Sequence, residues 1–460
     1  MIHKSCLFPS CRTRPLSLVF IFLLILPSAV PVQGAAGAQQ SGSEKVLSAL
    51  SLPDSQVVYS PSAAGFDVGA YLAQAGGYLG RHQEYLGEPG WIPAAQVVAR
   101  VALENSINPR LLLALLEYEC QCVTGQSEEA LNSGYALGVR DYRRKGLYGQ
   151  LWWAANQLSA GYYGWREGWL RQFTLADGTV YQPESSTSSG DVALQYYFTQ
   201  LALAHATKTM PESVQQEAWQ RISDPQQGFL AVFQDMFGDP HDLARGYEPI
   251  LPGNLGQPDL ILPFELGVAW SLTSGPHQVW EVLGSLAALD FAPATGKSGC
   301  IESVAWATAM ADGLIVRSEH GLVVQDLDDS RLQDRMIHGK SDGLEQTGWA
   351  ILYVHIAEKD RVPVGTYLRR GERLGHPSCD GGPATGVNLH VARKYNGEWI
   401  AAGGHLPFVM SGWTTHMGSR PYLGNMTRDG NKVIANINAN KPSHITRSLE
   451  KPARQANHSD

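Results

Sequence analysis

"GVNLHVARKYNGEWI", Gly386 to Ile400, decides how the second half of this chain is read. In an extended strand Val387, Leu389 and Val391 point to one face, and Asn388 and His390 to the other. Two runs of the same texture precede it: "DGLIVRSEHGLVVQDLD" (Asp312 to Asp328) and "GWAILYVHIAEKD" (Gly348 to Asp360). Each is short, rich in β-formers and bounded by Gly-containing turns. Residues 264–421 are therefore expected to form an antiparallel β-sheet domain. Upstream, "GDPHD", "PILPGNLGQPD" and "LP" crowd turn and breaker residues into 238–263, the pattern of a linker.

Before that linker the period changes. Val97 and Val101, Val98 and Ala102, Leu111 and Leu115 recur one helical turn apart, and Asn108-Pro109 supplies an N-cap followed by proline at the first helical position. Residues 71–237 read as an all-helical domain, 39–70 as a lead-in that wraps the surface or is mobile, and 422–460, polar and without periodicity, as a mobile tail. The expected fold is multidomain, α followed by β.

At 460 residues, 44% of them hydrophobic, the chain has material for more than one core. With 17% charged residues, a net charge of -8 and no basic cluster interleaved with aromatics, a nucleic-acid partner is excluded. Lys4, Arg12 and Arg14 precede an apolar run from Leu16 to Leu26 and then small residues through Ala38, the pattern of an export signal over 1–38. An uncleaved anchor is the alternative; otherwise no membrane partner is expected. The mature chain is then secreted, extracellular or cell-wall associated, and its cysteines face oxidising surroundings. Cys300 and Cys379 are the first choice for a bridge, whereas Cys120 and Cys122 are too close along a helix end to bridge each other easily.

Eight of the fourteen histidines fall between His277 and His416. A catalytic zinc site takes three protein ligands and keeps a fourth position for water. Three segments supply suitable residues: "TSGPHQVW" sets His277 after a turn, "SLAALDFAP" sets Asp290 inside an apolar run, where a lone carboxylate is costly to bury, and the opening strand supplies His390. Each has a plainer reading alone: a turn histidine, a salt-bridged aspartate, a capped strand histidine.

From about Ala269 to Trp413 the chain resembles the lysostaphin-type zinc endopeptidases, specifically the branch with staphylolysin and the β-lytic endopeptidases. His277 and Asp290 match that branch's Gly-[Ala/Pro]-His turn and the Leu-Asp-[Phe/Met] aspartate thirteen residues on. "WATAMADGLIVRSEHGLVVQDLD" is similar to the family's central hairpin. "YVHIAEKDRVPVGTYLRRGERLGHPSCDGGPATGVNLHVA" follows its progression of strand histidine, glycine turns and final ligand strand. The resemblance implies Zn2+ bound by His277, Asp290 and His390, with His355 beside the reacting water. It implies peptide-bond cleavage in bacterial peptidoglycan. Two residues before the last ligand the family places a second catalytic histidine; here that position is Asn388. An asparagine amide can donate a hydrogen bond to an oxyanion but cannot shuttle a proton. A degenerate metal-binding domain acting as a cell-wall-binding or regulatory protein is the alternative.

"NSINPRLLLALLEYECQCVTG" (Asn105 to Gly125) resembles the start of lysozyme-like transglycosylase domains. On that resemblance Glu119 would be a glycan-cleaving acid, needing a pKa raised by an apolar pocket, and the chain would be bifunctional. Glu117, two residues earlier, faces elsewhere on the helix. His376 would border the cleft from "GHPSCDGG", with a structural role as the plainer reading; His320, His338, His405 and His416 are taken as structural or surface residues, and Glu302, Asp312, Tyr353, Arg393 and Trp399 as unranked groove candidates.

Overall fold

The computed structural model describes residues 47, 49–87, 90–205, 220–280, 283–294, 299–327 and 342–448. The expected export signal, His338 and residues 449–460 lie outside them. Among the described residues, no helix is long and apolar enough to cross a membrane.

Helices fill the first half: Val68–Ala75 (α1), Ala94–Asn105 (α2), Pro109–Cys120 (α3), Leu147–Arg166 (α4), Ser189–His205 (α5) and Phe229–Phe237 (α6). α3 starts where its sequence predicts, with Asn108 Oδ1 accepting from the Arg110 amide at 2.9 Å and Pro109 at the first helical position. It buries Leu111, Leu112, Leu115 and Leu116. α4 and α5 touch closely because position 161 is glycine; a Cβ there would stand 2.8 Å from Ala193 Cα. Within 39–70, the described residues differ from the expected lead-in. Leu47, Leu50, Leu52, Val57 and Val58 are buried in the helical core, so this stretch supplies apolar anchors at irregular spacing that no helical or strand period reveals.

The second half is built on a nine-stranded antiparallel sheet. Its strands are Ala269–His277 (β1), Ala288–Pro293 (β2), Gly313–Glu319 (β3), Leu322–Leu327 (β4), Trp349–Val354 (β5), Tyr367–Leu368 (β6), Leu389–Tyr395 (β7), Glu398–Trp399 (β8) and His444–Thr446 (β9). The order across the sheet is β6-β3-β4-β5-β7-β2-β1-β9, with β8 paired to β7. The polar stretch after 421 is not a loose tail within the described residues. Gly424–Arg428 and Asn431–Ile434 extend a separate four-stranded sheet, and β9 pairs with β1 through Ile445 opposite Trp270. Met426, Val433 and Ile445 are buried, one apolar side chain per short strand, too few to register as alternation.

The two faces of the large sheet carry different side chains. Trp349, Ile351, Tyr353, Leu389, Val391 and Phe291 join one apolar core with the small sheet. Ala350, Leu352, Val354, Ala392 and Ala288 face the other way and share a single core with the helices. Helical and sheet halves thus pack within one compact unit, the chain between them being a domain-joining loop.

Charges are buried at this shared layer. Arg166 Nε lies 2.8 Å from Glu398 Oε1, and the Tyr162 hydroxyl donates to Glu398 Oε2 at 3.0 Å. Burial pushes the Glu398 carboxyl up, against the pull of Arg166. Glu345 is gripped by Arg317 at 3.0 Å and Lys394 at 2.7 Å; burial alone would raise its carboxyl, but the two cations hold it below the usual range.

Both remaining cysteine pairs are bonded. Cys300–Cys379 joins as expected, while Cys120–Cys122 departs from expectation. Gln121, between the latter two, has φ 51° and ends α3, curling the chain so that the two Cα atoms are 5.3 Å apart.

Candidate metal centre

Three neighbouring strands, β1, β2 and β7, place the three candidate ligands. Register pairs His390 with Asp290 directly across β7 and β2, and Asp290 with Ser274 across β2 and β1. Irregular pairing near the end of β1 then brings His277 round to the same face. His277 Nε2 is 3.4 Å from Asp290 Oδ2 and 3.3 Å from His390 Nδ1, and His390 Nδ1 is 3.0 Å from Asp290 Oδ1. One donor atom from each residue lies within 4.8 Å of the others.

The surrounding bonds select a tautomer. His277 Nδ1 sits 2.9 Å from the Gly275 carbonyl, so that nitrogen carries a proton and Nε2 is the nitrogen that faces Asp290 and His390. Burial disfavours charge on His277, but the Asp290 carboxylate outweighs it and the imidazolium is held up. Burial likewise opposes the Asp290 anion, and the His277 imidazole reverses this, holding the carboxyl well below its usual range. Burial pushes His390 down. Two imidazoles and one carboxylate with donor atoms this close together form a set that could hold a metal ion.

His355 follows β5 with φ 64°, a left-handed conformation that costs energy for a residue with a side chain. Its Nδ1 is 2.8 Å from the Asp380 carbonyl, and its ring centroid is 6.2 Å from that of His390. Asn388 lies at the start of the ligand strand, where its backbone amide donates to Ser378 O at 3.2 Å. Its Nδ2 donates to Gly386 O at 3.2 Å, and its buried Oδ1 has no partner among the described residues. The position of the family's second histidine is thus filled by a side chain already anchored to its own loop.

All five residues open on one groove of about 1170 Å³. One wall, 299–304 and 381–388, is clipped by the Cys300–Cys379 bond. The opposite wall comes from the stretch expected to be mobile: Tyr422, Ile437, Asn438, Ala439 and His444. Sequence periodicity missed these. The closely spaced Gly418 and Gly424 around Tyr422 are the one signal that points to a built turn.

Other candidates fall elsewhere. Glu302 lines the groove and pairs with Lys359 at 3.1 Å. Tyr353 lies on the opposite face and donates to Gln325 Oε1, Arg393 is buried and bonds Gln257 and the Leu406 carbonyl, and Trp399 packs into the helical core. The Asp312 carboxylate accepts from the Arg370 amide. His376 does not reach the groove; its ring lies 3.8 Å from that of Trp306 and its Nδ1 is 2.7 Å from Ala305 O. His320 holds a left-handed turn between β3 and β4, His405 is exposed, and His416 bonds Thr427 Oγ1. In the helical half, Glu117 caps the chain after α3, accepting from the Val123 amide at 2.7 Å. Burial lifts the neighbouring Glu119 to about 7, against the pull of Arg221. Every residue lining the groove comes from 273–444, so Glu119 lies outside it.

Residues 50–250 match the family model described as LasA, N-terminal domain. Over 417 residues the chain is 26% identical to Protease LasA of Pseudomonas aeruginosa strain UCBPP-PA14, covering 84% of this chain and 85% of that protein; the strain PAO1 protein matches equally. The chain is thus similar over most of its length to proteins named Protease LasA. Among solved structures, the deep-sea metalloprotease pseudoalterin is 19% identical, with 39% of this chain and 96% of that chain covered at a TM-score of 0.31. The catalytic domain of lysostaphin from Staphylococcus simulans is 18% identical, with 29% and 87% covered at a TM-score of 0.19. The helical half is the part matched by the LasA N-terminal model, and the stretch around Glu119 lies inside that matched region.

Proposed function

We propose that this chain is a secreted zinc-dependent endopeptidase that hydrolyses peptide bonds in bacterial cell-wall peptidoglycan. The observation that carries the reading is the convergence of His277, Asp290 and His390 at the floor of an open groove. The relatives named Protease LasA support peptide-bond cleavage, and the export-type N-terminus supports secretion. A zinc ion held by the three residues would supply Lewis acidity to the scissile carbonyl and lower the pKa of the attacking water.

The chain's own groups do the rest. His355 Nδ1 is tied to the Asp380 carbonyl, so Nε2 is the nitrogen left to take a proton from the water and return it to the departing amine. Asp290 orients both imidazoles, and the Gly275 carbonyl fixes the ring of His277. Asn388 keeps one amide proton for the substrate after its bond to Gly386, which permits hydrogen bonding but no proton transfer.

The test is zinc analysis of the purified protein together with product analysis after incubation with peptidoglycan. Wild type is expected to hold one zinc and release new amine termini, and His390→Ala to do neither. Zinc and cleavage both retained in His390→Ala would overturn the site. New reducing or anhydro ends would instead assign glycan cleavage, and neither product would assign binding alone.

A further inference from the structure

The two walls of the groove each hold exposed branched aliphatic side chains. Ile301 is 46% and Val304 86% exposed on one wall, and Ile437 is 72% exposed on the other; all three line the same groove as His277, Asp290 and His390. Single aliphatics scattered over a surface need no explanation, but apolar side chains gathered on the rim of one groove mark a place where a ligand binds.

Both lips stand on braced backbone. Ile301 follows Cys300, whose bond to Cys379 ties it to the loop before the ligand strand, and the Val387 amide donates to Gly299 O at 3.2 Å. Next to Val304, Ser303 Oγ accepts from the Ala305 amide at 3.2 Å. On the facing wall Ile437 sits in a turn closed by Asn436. The Asn436 Oδ1 accepts from the Asn438 amide at 2.9 Å, its carbonyl accepts from the Ala439 amide at 2.9 Å, and its own amide donates to Leu272 O on β1 at 3.0 Å. A ligand entering between the lips gains their contact without having to order a loose loop.

Charge narrows the ligand further. No lysine or arginine lies among the described residues lining the groove; apart from Asp290 the carboxylate there is Glu302, already engaged by Lys359 at 3.1 Å. A carboxylate on the bound residue would meet Glu302 and find no cation among these lining side chains, whereas an alkyl group would displace water from Ile301, Val304 and Ile437. We propose that these three are specificity-determining residues: they receive an uncharged peptide with an aliphatic side chain on a residue flanking the scissile bond, in preference to glycine or an acidic residue at that place. The assignment rests on the peptidase reading above and names its substrate class. The lip is continuous with the candidate metal centre, because the Gly299–Val387 hydrogen bond joins it to the strand of His390, so a side chain held there belongs to a residue beside the reacting bond.

The test uses the full chain with zinc and tetrapeptides capped at both ends, which differ only in carrying Gly, Ala, Leu or Asp at either residue flanking the central bond. Cleavage gives kcat/KM, and the same sequences with the central amide replaced by an uncleavable ketomethylene group give Kd. At one flanking position Leu is expected to exceed Gly by about 10-fold in both measures, with Ala between them and Asp below Gly. Ile301→Ser, Val304→Ser and Ile437→Ser are each expected to lower the Leu-to-Gly ratio about threefold. A variant damaged only in its fold would weaken all peptides alike and leave that ratio unchanged. Glycine or aspartate peptides bound as well as leucine peptides by wild type overturn the proposal, as does a ratio unchanged in all three variants; the wild-type comparison decides it even where a variant fails to fold. Ketomethylene peptides bound in the expected order with no peptide cut would refute the peptidase reading alone, and cleavage without alkyl preference would refute the specificity alone.

Discussion

Replacing Glu167 with glutamine is expected to flatten the pH dependence of this protein's stability. Glu167 follows the last turn of α4, where the helix carbonyls already disfavour an anion. Its carboxyl accepts from Ser285 Oγ at 2.6 Å and from the Leu286 amide at 3.1 Å, bonds that tie the helical half to the approach to β2. Burial lifts it from the ordinary 4.5 to about 7; its hydrogen bonds to Ser285, Leu286 and Trp169 pull it back only partly, and the nearby Glu398 adds to the rise. Below pH 4.5 the group is protonated in folded and unfolded chains alike, and its contribution is fully present. Between 4.5 and about 7 the unfolded chain releases the proton while the folded one keeps it, so stability falls as pH rises through this window. At about 1.4 kcal/mol per pH unit the loss is on the order of 3 kcal/mol, an upper figure because the group is only partly buried. In Glu167→Gln the side-chain amide oxygen accepts the same hydrogen bonds, and the group has no proton to release. Urea unfolding followed by tryptophan fluorescence at pH 5 and pH 8 measures the difference. Wild type should lose up to about 3 kcal/mol more than Glu167→Gln across that interval. Glu119 titrates in the same range but is present in both proteins and cancels. Parallel pH curves for the two proteins would refute the reasoning.

Two further perturbations test the site and the layer beneath it. Asn388→His restores the imidazole that the family places two residues before the last ligand; kcat on a peptide substrate should rise about 10²-fold with zinc content unchanged, and an unchanged kcat would show that an amide at 388 is sufficient. Arg166→Leu leaves the buried Glu398 without its cation. A fully buried pair broken this way costs about 3–5 kcal/mol, and because the Arg166 side chain is 35% exposed a smaller loss of roughly 2 kcal/mol is expected. Adding Glu398→Gln should recover part of that loss in denaturant midpoints, and no recovery would mean that Arg166 acts mainly through packing.

The sequence made one wall of the groove legible and hid the other. Asp290 and His390 sit beside small or apolar neighbours on strands, so alternation fixes their face, whereas His277 reaches that face through irregular pairing and was linked to them by motif spacing. The Cys300–Cys379 bond was legible because both cysteines flank loops of the same half. Tyr422 was hidden because strands such as "GNMTR" and "NKVI" bury one apolar side chain each and gain their place from backbone pairing, which leaves little trace in hydropathy. The early segment around Leu47 to Val58 was hidden for a similar reason: its apolar residues enter the core from irregular chain. The Cys120–Cys122 bond depends on a left-handed Gln121, a conformation that residue type does not announce.

The position of the candidate site follows from how the helices divide the sheet. On β7, His390, Ala392 and Lys394 share a face, and on β2, Ala288 and Asp290 do the same. Ala392 and Ala288 lie in the core shared with the helices, and Lys394 is buried beside Trp399. Alanine is small enough to let the helical layer approach the sheet. One step further along each strand the apolar cover gives way, and the next residues on that face are His390 and Asp290, at the floor of the groove. The candidate ligands therefore stand at the border of the helical cover, with packed neighbours on one side and the open groove on the other. A ligand two residues deeper, at position 392, would be rigid but sealed; the alternation that packs the sheet against the helices leaves 390 as the position on that face that is both held and open.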